Sequence, residues 1–169
     1  MPIGSRRRFT VPLSRQRRFP RARRSVPAAR GFALETLADW GYLERRDDVL
    51  ICVSELSTNA LLHGVPPGRQ FSLTLVGGGP LVRIEVRDSG GGLPEVTEAD
   101  ADACRGRGLS IVRAVADDFG VTLHEPGKTV WTVLKMDPQG QVPAAETADI
   151  IRLDAAALQG SSGQRTVTP

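Results

Sequence analysis

The sequence predicts an α+β fold: a two-layer α/β sandwich whose mixed, mostly antiparallel sheet carries helices on one face. Three observations lead there. Two pairs of β-rich runs are each joined by a short Gly- or Pro-bearing link, which reads as two hairpins. Segments with helical apolar spacing stand before the first pair and between the two, so helices and strands segregate rather than alternate. No G-x-x-x-x-G-K-[ST] phosphate loop occurs, which together with the lack of regular βαβ alternation excludes a P-loop fold. A chain of 169 residues, 40% apolar and 24% charged, fits one domain of ordinary size with a real core and excludes wholesale disorder.

Residues 1–24 read as a basic arm in which Arg8–Leu13 can form a short edge strand, where Pro12 is tolerated. A first helix is expected over Ser25–Trp40: the Ser25 hydroxyl can cap it, Pro27 suits its first turn, and Gly41 stops it. A second helix opens at Asp47 or Asp48 and runs to Gly64, because Val49, Val53, Leu56 and Ala60 form a helical stripe. After the turn Pro66-Pro67-Gly68, strands Phe71–Val76 and Leu81–Asp88 alternate apolar and polar residues around Gly77-Gly78-Gly79-Pro80. Ser89–Pro94 is too glycine-rich for helix or strand and reads as a loop; residues 95–105 are acidic and read as mobile. A third helix is expected over Leu109–Phe119, with Val112, Val115, Ala116 and Phe119 on its buried face. Strands Val121–His124 and Thr129–Met136 flank Glu125-Pro126-Gly127-Lys128. The folded domain is thus expected over 25–136, and 137–169 reads as a mostly disordered tail with one brief apolar stretch, Ile150–Leu158.

Charge is uneven. Residues 1–34 hold ten Arg and no acid, whereas the remaining 135 hold 12 basic and 19 acidic residues. That balance argues against nucleic acid as a partner of the core and leaves it open for the arm, where an acidic protein would also fit. A solvated, mobile leader accounts for the same composition. Cys52 and Cys104 are too few and too far apart for a disulfide framework, and no secretory apolar region is visible, so a reducing cytoplasm is expected. No apolar run reaches the roughly 18 residues of a membrane span.

Three features converge on a nucleotide. Glu55, Asn59 and His63, spaced four apart, share a helix face: a carboxylate able to take a proton, an amide oxygen able to ligate a hard cation, and an imidazole. A solvated polar face would present the same residues, and a histidine near a helix end also suits the helix dipole. Asp88 ends a strand just before Gly90 and Gly92, a carboxylate acceptor beside a loop that a planar ligand can approach closely; Asp-Ser-Gly is equally good turn chemistry. Gly106-Arg107-Gly108 precedes a helix, where free N–H groups favour phosphate.

In that order, SELSTNALLHG (Ser54–Gly64), VRDSGGGLP (Val86–Pro94), GRGLSIV (Gly106–Val112) and GKTVWTVL (Gly127–Leu134) resemble the N, G1, G2 and G3 boxes of the histidine-kinase-like ATPase superfamily, the Bergerat ATP-binding fold. SVPAAR followed by LADWG ahead of the N box resembles the small bacterial regulators akin to anti-sigma factor serine/threonine kinases. The resemblance implies ATP and Mg²⁺ as cofactors. It implies that Asp88 accepts from the adenine amine, with Gly90, Gly92 and Thr129 completing the base pocket, and that Asn59 ligates Mg²⁺. It implies Gly106, Gly108 and Leu109 as phosphate donors, His63 as a residue of the nucleotide site, and Glu55 as general base. Arg105 and Arg107, placed in the presumed lid, would neutralise charge at the γ-phosphoryl. The implied activity is phosphorylation of an anti-anti-sigma-type partner, with a sigma factor as a second partner and a homodimer through the first strand and helix. A catalytically weak ATP-binding module that acts by binding alone is the alternative. His124 is expected to have no role, Cys52 to be packed, and Cys104 to be exposed in the lid.

Overall fold

The computed structural model describes residues 12–42, 44–90, 107–136 and 166–167. Its elements are β1 (Leu13–Pro20), α1 (Ser25–Trp40), α2 (Arg46–Asn59) continued by a π-helical turn (Ala60–Gly64), β2 (Gln70–Gly78), β3 (Leu81–Asp88), α3 (Arg107–Val115), β4 (Asp118–Leu123), β5 (Lys128–Lys135) and β6 (Thr166–Val167). The six strands form one sheet in the order β1-β2-β3-β5-β4-β6, and every pairing among the described residues is antiparallel. The helices pack on one face, so the α+β two-layer sandwich holds.

Two periodicities meet in the core. Phe71, Leu73 and Leu75 of β2, Val82, Ile84 and Val86 of β3, and Val130 and Leu134 of β5 recur every second residue and share a face. Phe32, Ala33 and Leu37 of α1 and Val49, Val53 and Leu56 of α2 recur at helical spacing and cover them in one buried cluster. Each fully buried Val, Leu, Ile or Phe side chain among them contributes about 1.5–3 kcal/mol. A small second cluster, Leu81, Trp131 and Val133, lies on the opposite sheet face, where the Arg83 guanidinium stacks 4.2 Å from the Trp131 ring and pairs with Glu85 at 2.7 Å.

Several boundaries differ from expectation for identifiable reasons. The first strand among the described residues is Leu13–Pro20; residues 8–11 of the expected Arg8–Leu13 strand lie outside the described residues. Its arginines hide it, because the inward positions are partly polar: Arg15 pairs with Asp39 at 2.7 Å and Arg17 covers the Phe32 ring at 5.0 Å. Ser25 does not cap α1. It is the first helical residue, and its hydroxyl donates to the Pro20 carbonyl at 2.6 Å, fastening β1 to α1.

Neither Asp47 nor Asp48 caps α2, whose N-cap is Arg45 in the left-handed region at φ 51°. Arg45 repays that conformation by donating to Asp48 (2.9 Å), Asp117 (2.6 Å) and the carbonyls of Val115 (2.7 Å) and Lys135 (3.0 Å), which ties the ends of α2, α3 and β5 together. Partial burial raises the Asp117 carboxyl, but the Lys135 N–H and the Arg45 guanidinium outweigh it and hold the group below the usual range. The third helix stops at Val115, and Phe119 belongs to β4 opposite Thr132. Cys52 is packed as expected, and burial pushes its thiol up to about 11.

Candidate functional site

Asp88, the last residue of β3, stands directly across from Lys128, the first residue of β5. Their side chains are 1% and 3% exposed, with Nζ 3.2 Å from Oδ2 and 3.5 Å from Oδ1. The Gly90 N–H donates to Oδ1 at 3.2 Å, turning the chain out of the sheet. Burial pushes the Asp88 carboxyl above the usual range, opposed by the Lys128 ammonium, the Gly90 N–H and His124.

Three glycines let this carboxylate sit where it does. A Cβ on Gly64, at the end of the π turn, would run into Oδ2 of Asp88, and one on Gly90 would run into the Gly64 carbonyl. Gly127 has φ +97°, and a Cβ there would strike the Asp88 carbonyl. The π turn that ends α2, the strand end at Asp88 and the β4–β5 hairpin therefore converge on one point. That hairpin is closed by the His124 N–H, which donates to the Gly127 carbonyl at 2.8 Å.

The second focus lies one helix away. Glu55, half-buried on α2, faces the start of α3, where a Cβ on Gly108 would sit 2.5 Å from Glu55 Oε2. A proton acceptor thus lies beside a helix N-terminus whose unpaired N–H groups suit an anion. Asn59, also half-buried, is one turn along from Glu55 on the last α-helical turn. His63 is exposed on the π turn, where the spacing of four that aligns Glu55 with Asn59 no longer applies.

The structure brings together Asp88 and Gly90 of one motif, and Glu55 and Gly108 from two. Leu109 is half-buried against the core. Thr129 is buried, but strand alternation turns it to the face opposite Asp88; it lies across from Arg87, and its hydroxyl meets His124 Nε2 at 2.8 Å. His124, expected to have no role, thereby anchors Thr129. Gly92, Arg105 and Gly106, along with Cys104, lie outside the described residues, and of Arg107 only the backbone is described.

Sequence reasoning missed Lys128, Gly64 and Gly127. The signal for Lys128 was available only through strand register, since a residue facing the end of β3 must come from the start of its partner.

Among the described residues no cluster of three or more His, Cys, Asp or Glu could cage a metal ion. A lone hard oxygen such as that of Asn59 suits instead a cation that keeps its waters and takes its other ligands from phosphates, the habit of Mg²⁺. No helix among the described residues is long and apolar enough to cross a membrane. A search of curated proteins finds no match. Residues 19–134, more than two thirds of the chain and spanning every element from the end of β1 to β5, match the histidine kinase-like ATPase domain, and the chain belongs to that family.

Proposed function

We propose that the protein is a cytoplasmic ATP-binding regulator that transfers the γ-phosphoryl group of ATP to a serine or threonine of an anti-anti-sigma-type partner. The observation that carries this reading is the approach of Gly108 to Glu55, which sets a proton acceptor against a helix start suited to phosphate. Asp88 accepts a hydrogen bond from the adenine amine, with Gly90 shaping its surroundings. Asn59 holds Mg²⁺, which when bound neutralises phosphate charge. Glu55 takes the proton of the attacking hydroxyl as its oxygen bonds to the γ-phosphorus and the bond to the β–γ bridging oxygen breaks, releasing ADP. Arg105 and Arg107 offset charge on the transferred group. Positioning and electrostatics supply the rate, as is general for phosphoryl transfer.

A reading in which the protein binds ATP and regulates a partner by binding alone draws on the short segment between Gly92 and Gly106, 13 residues with no glycine. The two part company in one experiment. The full chain is used to capture its partner, which is then incubated with [γ-³²P]ATP and Mg²⁺. Labelled phosphoserine or phosphothreonine that disappears in Glu55→Ala supports the kinase; no label, with ATP binding intact, leaves the binding module.

A further inference from the structure

Lys128 is the one buried ammonium among the described residues, and the nucleotide chemistry above makes no use of it. Its Nζ bridges both oxygens of Asp88, the residue assigned to the base, at 3.2 and 3.5 Å, with both side chains at least 97% buried. A carboxylate taken from water without a partner takes up a proton instead, and burial alone drives Asp88 that way. The protonation state decides what the site reads. An ionised carboxylate only accepts hydrogen bonds and so matches an exocyclic amine, whereas a protonated one can donate and so tolerates a carbonyl at the same place.

From this geometry we infer that Lys128 is a positioning residue for base specificity: it holds Asp88 in the acceptor form and so selects a 6-aminopurine over a 6-oxopurine nucleotide. The inference rests on the nucleotide reading of this site. Other groups near Asp88 do not provide the same hold. His124, from the β4–β5 hairpin, acts on Asp88 through its charge, but its ring nitrogen is engaged with Thr129. From the π turn Gly64 lies against the carboxylate, and its neighbour His63 is exposed. Arg87 points to the other sheet face and is exposed. Strand pairing holds Lys128 in place, since the Asp88↔Lys128 pair is the last rung of the β3–β5 ladder.

The test uses the full-length wild type, Lys128→Met and Lys128→Arg, with Lys128→Gln as a second neutral variant should the methionine fail to fold. One arm follows the Asp88 carboxyl carbon by NMR as pH is lowered without nucleotide. The other measures dissociation constants of ATP and ITP between about pH 8 and 5.5. The wild type and Lys128→Arg are expected to protonate Asp88 at lower pH than the neutral variant and to prefer ATP at the upper end of that range. The neutral variant is expected to protonate Asp88 at higher pH. Its ATP affinity should fall on the order of tenfold as pH drops, with the ATP-to-ITP preference narrowing, the scale of one hydrogen bond to a charged group. A neutral variant with the wild-type Asp88 titration, or with unchanged ATP preference and pH profile, overturns the inference. Wild type that binds no ATP, with the Asp88 titration still moved by the neutral variant, overturns the nucleotide reading while upholding the hold of Lys128 on Asp88.

Discussion

Replacing Gly108 with alanine separates folding from catalysis. A Cβ here lies 2.5 Å from Glu55 Oε2, whereas ordinary contact begins at 3.4 Å, so the carboxylate has to retreat by about an ångström. The obstacle is the far end of a flexible side chain, so the retreat costs little folding energy. Alanine also suits a helix better than glycine by roughly 0.5–1 kcal/mol. Thermal unfolding of Gly108→Ala is therefore expected at or slightly above the wild-type Tm. Phosphoryl transfer moves the other way, because a misplacement of about 1 Å at a reacting centre costs on the order of 10²-fold. Single-turnover transfer from [γ-³²P]ATP, run beside an ATP titration, reads the two effects apart: transfer falls steeply while nucleotide affinity stays within a few-fold. A Gly108→Ala protein that transfers at the wild-type rate removes Glu55 from the general-base role. One that melts several degrees early shows that the space above Gly108 is closed by something stiffer than the Glu55 side chain.

Four further outcomes follow from geometry already described. Gly127→Ala combines a positive φ with a clash against the Asp88 carbonyl, and should lose at least about 1–2 kcal/mol in urea unfolding, with weaker ATP binding. Arg45→Met removes two carboxylate and two carbonyl partners at the junction of α2, α3 and β5, and denaturant unfolding should fall by on the order of 2–3 kcal/mol. The Asp117 carboxyl is held low, so its stabilising contribution is complete above the ordinary aspartate pKa of about 3.9 and is lost as pH falls through its lower folded value. Asp117→Asn should accordingly be less stable than wild type near neutral pH and converge with it in strong acid, as followed by circular dichroism. Cys52, buried with its thiol pushed up to about 11, should resist iodoacetamide in a folded Cys104→Ser protein near pH 8 and react once denatured.

Local chemistry was legible in the sequence and long-range register was not. Helix α1 runs over the expected Ser25–Trp40, because Pro27 at its start and Gly41 at φ +77° after its end are local signals. The β2–β3 hairpin and the pairing of β4 with β5 were legible for the same reason, as were Asp88 before its glycines and Glu55 one turn from Asn59. The third helix was overextended because Phe119 falls four residues after Val115, a helical spacing that β4 uses instead to bury Phe119 opposite Thr132. The π turn left no mark in a stripe that Ala60 continues in α-helical period. Lys128 was hidden for a different reason: its meaning is set by Asp88, 40 residues away, and one residue of register would have brought Thr129 to that carboxylate instead.

Among the described residues β1 ends the sheet, bonded to β2 and to no other strand. A sheet edge presents a row of backbone donors and acceptors that any extended chain can complete, and identical edges are natural templates for one another. This edge carries exposed Arg15, Arg17 and Arg18 and ends in Pro20, so two copies laid side by side would bring like charges together and meet a residue with no N–H to offer. Part of the positive charge that composition alone would assign to a polyanion thus lies along an open sheet edge, where it disfavours direct strand-to-strand pairing of two β1 edges. Exchanging these three arginines for valine or threonine would leave a smooth, β-prone border, and the fold would then be exposed to growth into fibres at its first strand.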